Sequence, residues 1–293
     1  MRILVTGANG QLGKSLQQLV LEQQLTDDFI FTNRAQLDLS QADGIKTYIN
    51  NNSVDVIINC AAYTLVDQAE SEPNVANQIN HLAVKQLSEI ARSQQIKLIH
   101  ISTDYVFDGL AKIPYTEEQN TGPVSAYGST KLLGEQAIQK TMAYNAMIIR
   151  TSWMYSEYGN NFVKTMLKLG REKSNLGIIN DQIGAPTYAK DLARALLSII
   201  EHEHFKQTKF NTQVYHYANQ GCCSWFEFAQ QIFQYADITL TTSPIKTEQY
   251  PLPAKRPQYS VLNTGKIIKD FELSIPKWQS SLKQCLNLLR SEQ

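Results

Sequence analysis

A chain of 293 residues is long enough for one large domain or two unequal ones, with a sizeable buried core. Its 27 basic and 27 acidic side chains cancel, and 43% hydrophobic with 18% charged content is ordinary for a soluble globular protein. No global field argues for nucleic acid or an anionic membrane as partner, so an anionic ligand has to be held by a few local groups.

The chain opens on "MRILVTG", without the long apolar core and cleavage site of a signal peptide. No stretch approaches the ~18 consecutive apolar residues of a membrane span. Cys60, Cys222, Cys223 and Cys285 form no spaced framework, which fits reduced thiols in a cytoplasmic protein. In chain order, "RILVTG" is an apolar run ending in glycine, and "QLGKSLQQLVLEQQ" has Leu12, Leu16, Leu19 and Val20 on one helical face. "FIFTN" is a second strand. "VDVIINCAA" is a third, apolar nearly throughout, as a strand covered on both faces is. "NHLAVKQLSEIARS" is helical, "IKLIHIST" and "AMIIRTSW" are strands, and a helix carrying Tyr127 lies between them. This alternation predicts an α/β fold with a doubly wound, Rossmann-like parallel sheet.

Beyond Arg150 the pattern is less regular. "NFVKTMLKLG", "AKDLARALLSII", "WFEFAQQIFQYA" and "WQSSLKQCLNLL" have helical spacing. "TTSPIKTEQYPLPAKRP" is rich in proline and turn residues and reads as a loop. The expected division is a nucleotide-binding domain over 1–150 and a smaller C-terminal substrate-binding domain over 151–293, with the segment near 180–205 free to rejoin the first.

In "VTGANGQLG", Gly7, Gly10 and Gly13 follow a strand and open a helix at Gln11 and Leu12. Glycines permit a tight turn and close approach of backbone to a pyrophosphate, and the helix N-terminus adds free N–H groups and a positive dipole end. The G-x-x-G-x-x-G spacing resembles the loop of the short-chain dehydrogenase/reductase superfamily. After the second strand, where a carboxylate would take the ribose hydroxyls of NAD, stand Asn33 and Arg34. Arg34 can pair with a 2′-phosphate or stack on adenine, which favours NADPH with NADH also possible; a surface arginine is the alternative. Asp38 and Leu39 resemble the superfamily's pair beside the adenine. Ala61, Ala62 and Tyr63 resemble the strand end on which its cofactor lies.

Tyr127 and Lys131 are at i and i+4 in "AYGSTKLLGE", on one face of a helix. Reduction of a ketone needs a hydride and a proton. A tyrosine can give the proton, and a nearby ammonium is expected to stabilise the phenolate left behind and lower the tyrosine pKa. In the superfamily the lysine also holds the nicotinamide ribose. Ser102 and Thr103 both place a hydroxyl at a strand's carboxyl end, and the motif match selects Thr103. Asn80 matches the superfamily's helix asparagine that supports the lysine through water; a buried structural amide is the alternative.

"TGANGQLG", "INCAAYTLVDQAE", "STDYVFDG", "AYGSTKLLGE", "RTSWMY", "NDQIGAPTYAKDLA" and "RPQYSVLNTGK" span nearly the whole chain. Together they resemble the dTDP-4-dehydrorhamnose reductases of the superfamily's extended branch. The 4,6-dehydratases of that branch carry Asp-Glu after the threonine; here Asp104 is followed by Tyr105, which fits simple reduction better than elimination. The resemblance implies NADPH-dependent reduction of the C4 ketone of dTDP-4-dehydro-β-L-rhamnose, with Tyr127, Lys131 and Thr103 catalytic. It further implies a sugar-nucleotide site lined by Thr64, Val66, Thr103, Asp104, Tyr105 and Trp153, with Arg256 for the diphosphate. Some members hold an interface Mg²⁺ through glutamates, and no such cluster is evident here. The rival readings are an NADP-binding regulatory subunit like that of methionine adenosyltransferase, and a reductase of another nucleotide-linked 4-keto sugar. The oligomeric state stays open between monomer and homodimer.

Overall fold

A computed structural model of the chain describes residues 1–291. The apolar runs form strands because each is covered on both faces. β1 (Arg2–Thr6), β2 (Asp28–Thr32) and β3 (Val56–Asn59) are joined by α1 (Gln11–Glu22) and α2 (Ala42–Asn52). Two short helices follow, α3 (Gln68–Ser71) and α4 (Pro73–Asn77), with Pro73 in the first turn, where no N–H partner is needed. A π-helical turn over Gln78–Leu82 leads into α5 (Ala83–Gln94), and then β4 (Lys97–Thr103), α6 (Ala126–Thr141) and β5 (Ala146–Thr151).

The central sheet has the order β10-β5-β4-β3-β1-β2, where β10 is Gln213–His216, and every pairing is parallel. The chain reverses direction across the sheet between β1 and β3, and ligands of such sheets bind in the crevice at the strands' carboxyl ends beside that point. One apolar layer, with Leu12, Leu16 and Leu196, covers one face; a second, with Ile45, Leu87 and Ile138, covers the other.

Beyond β5 come β6 (Met154–Tyr155), α7 (Phe162–Glu172), β7 (Asn175–Ile179), β8 (Ile183–Gly184), β9 (Thr187–Tyr188), α8 (Ala189–Glu201) and α9 (Glu203–Lys206). After β10 follow β11 (Cys223–Ser224), α10 (Trp225–Tyr235), β12 (Thr241–Ile245), α11 (Gly265–Phe271) and α12 (Trp278–Ser291). A third core gathers Val163, Phe228, Ile232 and Leu282 from α7, α10 and α12. Residues beyond Arg150 nevertheless serve both regions: β10 extends the central sheet, and α8 packs on α1. Cys60, Cys222, Cys223 and Cys285 are not joined in disulfides.

The proline-rich stretch 241–257 is not all loop. Its first five residues are β12, paired in parallel with β7. Pro244 lacks an N–H for the ladder, but in a two-stranded sheet each strand has an open edge, where that lack is tolerated.

Candidate active site

The glycine loop packs where side chains cannot. Gly7 has φ +70°, and a Cβ there would stand 2.7 Å from Ala61 N; one on Gly13 would stand 2.5 Å from Gly7 O. The loop is thus pressed against the end of β3. Gly10 caps α1 without a side chain, so the first-turn N–H groups remain open to the crevice. These features fit a dinucleotide pyrophosphate.

Around this loop lies a cavity of about 1210 Å³. Gly7, Gly10, Gln11, Leu12, Gly13, Arg34, Asp38, Leu39, Ala61, Ala62 and Tyr63 line its glycine-loop side. Thr64, Val66, Thr103, Asp104, Tyr105, Tyr127, Lys131 and Trp153 line the rest. Arg34 is highly exposed and pairs with Asp38 at 3.5 Å, while Asn33 spends its side chain accepting from the N–H groups of Ala35 and Gln36. Asp38 is held below the usual carboxylate range, first by the Ser40 N–H and also by Arg34.

Arg256 does not line this cavity. It makes a bidentate pair with Asp67 at 2.9 and 2.6 Å and lines a neighbouring cavity of about 370 Å³. A half-buried guanidinium takes the carboxylate whose geometry matches its fork. The diphosphate assignment from sequence therefore meets a guanidinium already occupied by Asp67.

At the carboxyl end of β4, the Thr103 hydroxyl donates to Asp104 Oδ1 at 3.0 Å and accepts from Tyr105 N at 3.2 Å. Asp104 Oδ2 is buried without a hydrogen-bond partner. Burial pushes the Asp104 carboxyl up to about 6, with Ser260 and Thr103 offsetting it only in part. Ser102 points the other way and donates to Glu135, which is paired with Arg150 at 2.7 Å in the interior.

Ser125 caps α6 through its side chain, and Glu70 of α3 accepts from Ala126 N at 2.8 Å, so an acidic group sits at the helix's positive end. Tyr127 is thereby set in the first turn, its ring edge-on to Tyr105 with centroids 5.5 Å apart. Burial pushes the Tyr127 phenol up to about 12, and Thr103 counters that only in part. The expected lowering by Lys131 is absent because the ammonium points elsewhere: Nζ donates to Ile101 O at 2.6 Å and lies 3.2 Å from His100 Nε2. Tyr127 thus keeps its proton until a reaction demands it. Lys131 is 1% exposed, and burial lowers it to about 8 against the opposing pull of Glu135.

Asn80 is a structural amide. Its Oδ1 accepts from Tyr63 N at 2.9 Å, and Nδ2 donates to Tyr63 O at 3.1 Å and Thr130 at 3.2 Å, which pins the strand end below the cofactor crevice. Sequence reasoning missed His100 and the Glu135–Arg150 pair; the available signal was a histidine inside the otherwise apolar "KLIHI".

A doubly wound sheet, a glycine loop at its switch point and a buried tyrosine–lysine pair beside it define a nucleotide-binding protein of the short-chain dehydrogenase/reductase type. Residues 1–291 match the family model described as the RmlD substrate binding domain. A dTDP-4-dehydrorhamnose reductase of Escherichia coli (strain K12) is 39% identical over 297 residues, covering 99% of this chain and 98% of that protein. The one from Sinorhizobium fredii is 39% identical over 289 residues, covering 97% and 96%. A crystal structure of a dTDP-4-dehydrorhamnose reductase from Clostridium acetobutylicum superposes with TM-score 0.92 at 40% identity, over 99% of this chain and 100% of that one. The Bacillus anthracis reductase, solved in complex with NADP, gives 0.91 at 37% identity, over 98% and 99%. The chain belongs to the dTDP-4-dehydrorhamnose reductase family.

Proposed function

We propose that this chain reduces the C4 ketone of dTDP-4-dehydro-β-L-rhamnose to dTDP-β-L-rhamnose, with NADPH as reductant and NADH as a possible substitute. Family membership supports the reaction. The single observation that carries the residue roles is the convergence of Tyr127, Lys131 and Thr103 in the cavity that begins at the glycine loop.

NADPH bound along Gly7 to Gly13 and Ala61 to Tyr63 supplies a hydride to C4. Arg34 takes the 2′-phosphate, exchanging its contact with Asp38 for a more highly charged partner. Tyr127 holds a proton that it gives to O4 as charge develops there. Thr103 orients the carbonyl, and Lys131, its Nζ turning away from Ile101 O, brings a positive charge to the phenolate that forms. Thr64, Val66, Asp104, Tyr105 and Trp153 wall the sugar. Arg256 reaches the diphosphate by leaving Asp67. The region built on α7, α10 and α12 serves as the substrate-binding domain. Among the described residues no helix is long and apolar enough to cross a membrane; we place the enzyme in the cytoplasm, as a monomer or homodimer.

Tyr127→Phe tests the proton donor. Turnover is expected to fall at least about a hundredfold, while the NADPH dissociation constant stays within about threefold. Normal turnover in that variant would falsify the role.

A further inference from the structure

Behind Lys131 lies a buried polar row that the reduction as described does not use. The strand register creates it: Thr6 of β1 is opposite Asn59 of β3, and Asn59 is opposite His100 of β4. All three are at most 1% exposed. Thr6 Oγ1 lies 2.6 Å from Asn59 Oδ1, Asn59 Nδ2 lies 3.0 Å from His100 Nδ1, and His100 Nε2 lies 3.2 Å from Lys131 Nζ.

Donor counting along this row is restrictive. Burial and the lysine's charge keep His100 well below its ordinary pKa, so the ring is neutral and carries one N–H. With the Asn59 amide donating to Nδ1, the ring proton is on Nε2 and faces Nζ. A neutral amine accepts that proton; an ammonium has only donors and does not. With Lys131 charged, Nε2 must offer its lone pair and the proton must sit on Nδ1. The Asn59 amide then turns over, so that its oxygen accepts from the ring and its nitrogen donates to Thr6. Both arrangements pair a donor with an acceptor at every contact.

We propose that His100 is the positioning residue of Lys131, and that the ring tautomer and the lysine charge change together through Asn59 and Thr6. The inference rests on the part given to Lys131 above. Other groups facing the lysine are Glu135 on α6, itself neutralised by Arg150 of β5, and Cys60 after β3. Burial pushes that thiol up to about 12, so it stays neutral, as does Tyr127. Among the described side chains, the one with an atom within hydrogen-bond distance of Nζ is His100, at 3.2 Å, and a neutral imidazole can either accept or donate there. The row lets Lys131 be charged or neutral with a donor facing an acceptor at each of the three contacts.

The test is nitrogen NMR of the whole protein labelled in its five histidines, from about pH 6.5 to about pH 9.5. His100 is assigned by loss of its signals in His100→Asn. Its two ring nitrogens are expected to exchange their protonated and unprotonated shifts with a midpoint near 8, and to stop doing so in Lys131→Met. A ring that keeps one tautomer throughout, or exchanges unchanged in Lys131→Met, overturns the proposal. No substrate is needed, so this outcome is independent of the reductase reading. In kinetics, His100→Asn, whose amide can donate or accept, is expected to keep kcat within about threefold. His100→Leu is expected to lower kcat at least about tenfold and to move the alkaline limb of its pH profile by about a unit or more. An unmoved limb in a folded His100→Leu counts against the proposal.

Discussion

Trp153 lies flat on Trp225, with ring centroids 3.5 Å apart and planes 7° from parallel. Trp153 is also one of the few non-glycine residues with a left-handed backbone, at φ +46°. Gly184 presses on the same indole, since a Cβ there would be 2.4 Å from Trp153 Cε2. A strained residue at a cavity wall persists only where its surroundings over-determine it. Trp225 supplies much of that support, and its own Nε1 donates to Gln182 at 3.2 Å.

Trp225→Ala removes the stack while leaving the cofactor crevice untouched. The KM for the nucleotide sugar is expected to rise about five- to tenfold, with kcat and NADPH binding changed less than about twofold. The exciton signal of two stacked indoles in circular dichroism should vanish with it. Unchanged KM despite loss of that signal would separate the stack from substrate binding.

Asp104 ties a pH dependence to its buried carboxyl. Burial raises it from 3.8 to about 6, so the fold prefers the neutral form. Its contribution to stability is intact below the unfolded pKa and lost as pH rises through about 6. Asp104→Asn should therefore be stabilising by about 1–3 kcal/mol at pH 7 to 8 and neutral near pH 4. Urea unfolding at the two pH values reads this directly; equal effects at both would contradict it.

Glu135 and Arg150 are 1% and 4% exposed, and Glu135 also accepts from Ser102 beside Thr103. Glu135→Gln leaves the guanidinium without its counter-charge. The expected loss is about 3–5 kcal/mol of folding stability, measured by denaturant midpoint at constant slope.

Arg34→Ala addresses cofactor choice. The dissociation constant for NADPH should rise at least about tenfold and that for NADH less than about threefold, because only the former has a 2′-phosphate. Equal losses in calorimetry would reassign Arg34 to adenine stacking.

The parts legible in the chain were those written in local pattern. Strands β1, β3, β4 and β5 are apolar runs, and the glycine loop and the Tyr127–Lys131 pair are each contained within one short segment. β10 was not legible, since four residues become a strand only by pairing with β5. β12 was masked by Pro244 and by polar residues natural to an exposed edge. Arg256 read as a free cation because its partner Asp67 is 189 positions away. Trp225 on Trp153, and His100 on Lys131, are likewise contacts between elements that no spacing encodes. The raised Tyr127 pKa has the same origin. Helical spacing puts a lysine one turn away but does not say that its Nζ turns toward His100.

The most direct test is to follow NADPH oxidation by the purified protein with dTDP-4-dehydrorhamnose formed in place, and to identify the sugar product. Turnover that yields dTDP-L-rhamnose is expected, with one NADPH consumed per sugar reduced. NADPH binding without turnover, or turnover only with a different nucleotide-linked 4-keto sugar, would contradict it.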